Sequence, residues 1–183
     1  MNTERSARPH AHLVEPLEER HEAALARLVA LEGDAPLRGA PRPASPEATR
    51  AWLADVVRER RARKAFAFVG RSDDGELAGV VYLGGASRRT ALLSYWLAPN
   101  FRGRGLARAM VQPVVDHAFA QLGLARLDAF VVEENAPSRA LLASLGFRLA
   151  GRVLGTTAPG ATGEDAPVLA YVCPRPTQRR SAP

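Results

Sequence analysis

Residues 100 to 108 read Asn-Phe-Arg-Gly-Arg-Gly-Leu-Ala-Arg, two glycines and three arginines in one short stretch. Gly103 and Gly105 admit backbone conformations and close approaches that a Cβ blocks, so successive N–H groups can turn toward one anion. Leu106 and Ala107 open an apolar-periodic run. The first N–H groups of a helix lack intrahelical acceptors, and its dipole places about half a positive charge at that end. With Arg102, Arg104 and Arg108 around the same point, a phosphate or pyrophosphate is the guest this chemistry suits. A glycine-rich turn carrying solvated arginines is the plainer alternative. Two familiar phosphate motifs fit poorly: the P-loop needs a Gly-Lys-Ser/Thr end where Leu106 follows Gly105, and the dinucleotide fingerprint needs a small residue where Arg108 stands.

Other reactive side chains are sparse. Cys173 is the single cysteine and the four histidines are dispersed, so neither a disulfide nor a metal site is expected. His117 sits within a helical pattern beside Asp116 and reads as structural or exposed.

The elements that must hold the glycine loop follow from periodicity. Apolar residues from 16 to 31 recur at helical spacing, and a second helix, from about 46 to 63 with Pro46 in its first turn, would bury Trp52, Leu53, Val56 and Val57. Residues 65–69, 77–83 and 91–97 are short runs of β-formers, the first two joined by a loop with an Asp-Gly turn signal. After the loop, Leu106 to Leu122 reads as a helix ended by Gly123, and 127–132 reads as a strand. A last helix, Ala136 to Leu145, stops at Gly146 as a left-handed cap requires, before strands near 147–153 and 168–173. This order is α+β: a mixed, mainly antiparallel sheet with one central parallel βαβ crossover. Residues 13–173 are expected to form a single domain, with 1–12 and 174–183 as flexible tails.

The net charge of +6 comes almost wholly from arginine. It favours anionic partners without naming them. The basic run Arg58 to Lys64 carries no interleaved aromatic residues and reads as a solvated helix face, so no nucleic-acid partner is expected. No run of about eighteen apolar residues occurs and the N-terminus has no apolar signal core, so a soluble, cytoplasmic protein without a membrane partner is expected.

The stretch "YWLAPNFRGRGLARAMV" resembles the acetyl-coenzyme A motif of the GNAT superfamily of N-acetyltransferases, whose Arg/Gln-x-x-Gly-x-Gly/Ala signature is matched from Arg102 to Ala107. A second block, "ENAPSRALLASLGF", is similar to the Asn-x-x-Ser…Leu-Gly-Phe element of the branch that acetylates the N-termini of ribosomal proteins and related amines. The resemblance implies a GNAT fold and acetyl-CoA as cosubstrate. It also implies a cofactor site made mostly of backbone: Leu97 and Ala98 toward the pantetheine arm, and Arg102, Gly103, Arg104, Gly105, Leu106 and Ala107 around the pyrophosphate, with Asn135 contacting the cofactor or capping a helix. The reaction implied is direct attack of a neutral amine on the thioester. The tyrosine that serves many members as acid falls at Leu142 here, so Ser138 is the candidate for hydrogen-bonding the coenzyme sulfur; a purely backbone role for that serine is the alternative.

The general base is not identified. The place where this branch often has a glutamate is near Leu92, and the remaining acids are Glu133, Glu134, Glu164 and Asp165. The acceptor is expected to be a protein N-terminus or a small amine, chosen by the proline-rich segment 33–46, the helix after it and the loop 154–167. The competing reading is an acyl-CoA-binding regulatory module of weak catalysis, and a homodimer is a candidate assembly for either.

Overall fold

The computed structural model describes residues 14–32, 42–87, 89–153 and 167–176. Most of segment 33–46, the greater part of loop 154–167, and with it Glu164 and Asp165, lie outside these.

A seven-stranded sheet carries the molecule: β1 (Val14–Pro16), β2 (Phe66–Arg71), β3 (Leu77–Gly84), β4 (Thr90–Leu97), β5 (Arg126–Val132), β6 (Arg148–Val153) and β7 (Val168–Pro174), in spatial order β1-β2-β3-β4-β5-β7-β6. Among the described strands only β4 and β5 run parallel, and every other neighbouring pair is antiparallel. The parallel pair is joined by a helix, as a crossover requires. The helices are α1 (Glu22–Glu32), α2 (Thr49–Arg61), α3 (Leu106–Ala120) and α4 (Ala136–Ser144).

Register and side-chain contacts assign the helices to faces. Phe68 of β2 lies edge-on to His117 of α3, and Phe68, Val81 and Tyr95 are aligned across three strands. Tyr95 in turn reaches Ser138, so α3 and α4 share one face of the sheet. Val69, Val80 and Trp96, one residue out of phase, look the other way, where the Trp96 indole meets Glu32 of α1. Tyr82, in the same phase, donates to Glu59 of α2 at 2.5 Å. The core is therefore double, one apolar layer beneath each helix pair, with β3 buried along nearly its whole length between them. Gly70 lets α3 lie close on β2: a Cβ there would meet the Met110 side chain at 2.3 Å.

Three features differ from the sequence reading. The segment 14–16 is a strand paired with 68–70, too short to show a period, and the first helix starts only at Glu22 after a short 3₁₀ turn at Glu19–His21. The second helix starts at Thr49, since the chain from Ser45 makes turns first; Thr49 N–H donates to the Pro46 carbonyl. The C-terminal tail does not begin at 174: Pro174 still aligns with Arg126, and Arg175 N–H donates to the Ala125 carbonyl at 2.8 Å.

Candidate acyl-coenzyme A cleft

Strands β4 and β5 pair over only three positions, Thr90 with Arg126, Ala91 with Leu127 and Leu92 with Asp128. Both strands continue beyond that point without pairing, so the sheet opens into a wedge at its centre. The phase of the β4 ladder tells which groups face the wedge. Ala98 N–H donates to the Ala78 carbonyl at 2.9 Å, so even-numbered residues of β4 bond to β3 and odd-numbered ones point toward β5. The backbone groups of Tyr95 and Leu97 thus face the wedge from one side. On the other, Arg126 N–H bonds to the Arg89 carbonyl, which sets the even residues of β5, Phe130 included, toward β4.

Of the two backbone positions expected to meet a coenzyme arm, Leu97 has this orientation and Ala98 does not. Ala98 is fully buried with its N–H committed to β3.

The chain then makes a 3₁₀ turn at Pro99–Phe101 and enters the glycine loop at the mouth of the wedge. Gly103 and Gly105 both have φ +76°, a left-handed conformation that an L side chain adopts only under strain, and a Cβ at either would stand in open space. Gly105 is the N-cap of α3 and offers no side chain to close the helix end. Among the described residues, none of the N–H groups of 103 to 107 is paired with an acceptor. A run of unsatisfied donors, a helix start and two positions without Cβ form a cradle for an anion.

The three arginines have different destinations. Arg102 donates its Nε–H to the Leu97 carbonyl at 2.9 Å and lays its guanidinium on Glu32 at the end of α1, at 2.7 and 2.8 Å. Glu32 also accepts from the Trp96 indole at 3.2 Å, and the Arg42 guanidinium stacks 5.5 Å above that ring. Burial pushes the Arg42 pKa down from its ordinary value, while Glu32 opposes the shift. Arg102 therefore ties the glycine loop to the opposite face of the sheet. Arg108 caps α4 by donating to the Ser144 carbonyl at 2.9 Å. Arg104 is exposed and makes no ion pair among the described residues, which leaves its charge for a ligand.

Across the wedge, Asn135 is the N-cap of α4, its Oδ1 accepting from Ser138 N–H at 3.1 Å. Ser138 Oγ is not used by its own helix; its partner is the Tyr95 hydroxyl at 2.6 Å. Burial raises the pKa of that phenol, and the serine bond pulls it the other way. Leu142, where the common tyrosine acid would stand, is fully buried in the core. Glu133 is held by Arg152, while Glu134 is exposed. Sequence reasoning missed the Tyr95–Ser138 contact and the Glu32–Arg102 pair, because each joins positions far apart in the chain, separated by 43 and 70 residues.

Another concavity, lined by residues including Arg63, Lys64, Phe66, Ser87 and Leu124, lies at the opposite end of the sheet, where β2 and β4 begin. It takes no part in the wedge. No group of three or more metal-ligating side chains occurs among the described residues, and no helix there is long and apolar enough to cross a membrane.

The chain matches the family model described as an acetyltransferase (GNAT) domain over residues 13–148. It is 31% identical over 107 residues to the uncharacterized N-acetyltransferase YoaA of Bacillus subtilis, covering 57% of this chain and 60% of that protein. The probable N-acetyltransferase YjcK of the same organism is 34% identical over 106 residues, 56% of this chain and 59% of that protein. The match thus spans about 60% of the length of these curated relatives. Mycobacterium smegmatis RimJ, solved in complex with CoA-disulfide, superposes with a TM-score of 0.76 at 26% identity, covering 88% of this chain and 80% of that one. The ribosomal-protein-S5-alanine acetyltransferase of Vibrio fischeri shares the fold, with a TM-score of 0.76 at 20% identity over 88% of this chain and 92% of that one. Together with the family match, the wedge at the parallel strand pair and the open glycine cradle at its mouth settle the classification: the chain belongs to the GNAT acetyltransferase family.

Proposed function

We propose that the protein transfers the acetyl group of acetyl-CoA to a primary amine by direct attack, as a single domain working in the cytoplasm. The observation that carries this reading is the adjacency of two features: an opening in the sheet where β4 and β5 no longer pair with each other, and a cradle of unpaired N–H groups at its mouth. The fit is chemical as well as spatial. A pyrophosphate takes the N–H groups of 103 to 107 and the charge of Arg104; an extended amide-bearing arm takes the backbone of Tyr95 and Leu97; Asn135 and Ser138 border the inner end. Acetyl-CoA supplies the activated acetyl group. The chain's own contribution is to hold both reactants, a positioning effect that can lower a barrier by several kcal/mol.

The acceptor is inferred from the carboxylates on the α1–α2 face. Glu22, Asp55, Glu32 and Glu59 are each engaged, with Arg50, Arg58, Arg102 and Tyr82. A polycation needs free carboxylates to neutralise it, so a single amine, such as a peptide N-terminus, suits this face better than a polyamine. The ribosomal-protein acetyltransferases among the structural neighbours agree with that choice; a spermidine N-acetyltransferase chimera is also a neighbour, at TM-score 0.71 and 19% identity. The test is calorimetry with CoA, followed by thiol release from acetyl-CoA over a panel of N-terminal peptides, monoamines and polyamines. Binding of CoA with turnover of peptides or monoamines is expected. CoA binding without turnover on any amine would favour a regulatory module instead.

A further inference from the structure

Serine is a poor acid, and the tyrosine that the GNAT resemblance leads one to expect on α4 is replaced by Leu142, which is shut inside the core. The structure brings a different phenol to the same helix end from another element, β4. Tyr95 Oη lies 2.6 Å from Ser138 Oγ and 3.3 Å from the Ser138 carbonyl oxygen. Resting on the acetyl-transfer reading above, we propose that Tyr95 is the positioning residue that keeps Ser138 a donor toward the leaving sulfur, by handing Ser138 Oγ a proton as the serine gives up its own.

Each hydroxyl has one proton, and the local acceptors fix how the two protons can be placed. In one arrangement Ser138 Oγ–H donates to the phenol oxygen while the phenol O–H donates to the Ser138 carbonyl. In the other the phenol O–H donates to Ser138 Oγ, which frees the serine proton for a group in the wedge. The carbonyl at 3.3 Å is what lets the phenol change between them without losing every partner. Helix capping does not explain the serine, because Asn135 Oδ1 already accepts from Ser138 N–H and Ser138 Oγ bonds to nothing in α4.

The pair also improves the match of acidities. An ordinary phenol has a pKa near 10 and an ordinary thiol near 8.5, whereas an alcohol alone is far weaker than either. In the transfer step the amine nitrogen forms a bond to the acetyl carbonyl carbon and the carbon–sulfur bond breaks, its electron pair going to sulfur. The Ser138 proton passes to sulfur and the Tyr95 proton to Ser138 Oγ. The proton shed by the nitrogen as it becomes an amide returns through solvent to the phenol, so the protein ends as it began. Burial shifts the Tyr95 phenol upward from that ordinary value, which keeps its proton in place before the step and narrows its advantage over an alcohol.

The experiment is a double-mutant cycle with Tyr95→Phe and Ser138→Ala on the full chain, using the best acceptor of the amine panel. Each single variant is expected to lower kcat roughly 100-fold, the double variant no further than about threefold beyond either, with KM for acetyl-CoA little changed. Two readouts are independent of turnover. Calorimetric affinity for CoA is expected to stay within about threefold in Tyr95→Phe, since the ring and the backbone are kept. With only three tyrosines in the chain, the ring carbon bearing the Tyr95 hydroxyl can be assigned by 13C NMR, and its resonance is expected to move on Ser138→Ala and to be restored by Ser138→Thr. An unchanged kcat in Tyr95→Phe, losses that multiply in the double variant, or a Tyr95 resonance blind to Ser138 would overturn the proposal. So would parallel loss of CoA binding, which assigns the phenol to the cleft's architecture. A wild-type protein that binds CoA and turns over no amine refutes the acetyltransferase reading itself, an outcome seen before any variant is made.

Discussion

Replacing Gly105 by alanine separates the two things that this residue does. Its φ of +76° costs an L side chain about 1–2 kcal/mol, and because the new Cβ meets nothing within 4 Å no steric cost is added. For a chain of this size that corresponds to a fall in Tm of roughly 2–8 °C. Binding suffers separately. In the proposed function the open space is where an anion approaches the unpaired N–H groups, and losing one hydrogen bond to a charged oxygen is worth about 1.5–3 kcal/mol, or roughly 10- to 150-fold in Kd for CoA. Gly123 is the matched control: φ +69°, also with nothing within 4 Å of its Cβ, but at the far end of α3. Gly123→Ala is expected to lower Tm by a similar amount and leave CoA affinity alone. Differential scanning fluorimetry and calorimetry on the two variants decide the matter. Equal CoA affinities in Gly105→Ala and Gly123→Ala would refute the assignment of 103–107 as the pyrophosphate cradle.

Other substitutions test the supports of the cleft. Arg102→Ala removes partners from the mostly buried Glu32 and from the Leu97 carbonyl, and is expected to cost about 1–2 kcal/mol of stability and to raise KM for acetyl-CoA, both read from thermal melts and steady-state kinetics. Asn135→Ala loses the N-cap of α4 and is expected to lower stability by about 1 kcal/mol, with Asn135→Ser restoring most of it in chemical denaturation. Acid sensitivity should concentrate at Glu15, whose carboxyl is brought from 4.5 to about 2, chiefly by hydrogen bonding to Arg71. The folded state then binds this proton less readily than the unfolded chain, so the stabilisation is present above pH 4.5 and fades as pH falls toward 2. With solvent screening at this partly exposed site, Glu15→Gln is expected to flatten the pH dependence of urea unfolding in that window by only about 1 kcal/mol.

Most of the fold was legible because long periodic segments state their own burial. The Met110-to-Phe119 stripe of α3 and the alternation of Leu127, Ala129 and Val131 in β5 needed no tertiary information. The short β1 was invisible for the opposite reason: a three-residue strand shows no period and exists only through pairing with β2. At the cleft, glycines and a helix start could be read locally, since backbone conformation is a local property. Where the arginines went could not. Arg102 belongs to Glu32 and Arg108 to the end of α4, and only the folded chain shows which of the loop's charges is left for a ligand. Tyr95 stands within a motif on a strand while its partner Ser138 sits on a helix, so their contact shows only when β4 and α4 lie side by side.

The early end of the β4–β5 ladder has a consequence for how this protein avoids its own kind. A strand with unpaired N–H and C=O groups is an edge, and an edge on the outside of a molecule recruits other strands and seeds aggregation. Here the sheet has two additional edges, yet they face each other inside one chain, anchored where Leu92 meets Asp128 and flanked by α3 and α4. Because the two edges converge on that anchored ladder, a strand entering between them cannot pair with both along its whole length. The fold thus turns an adhesive surface inward, between two central strands of its own sheet.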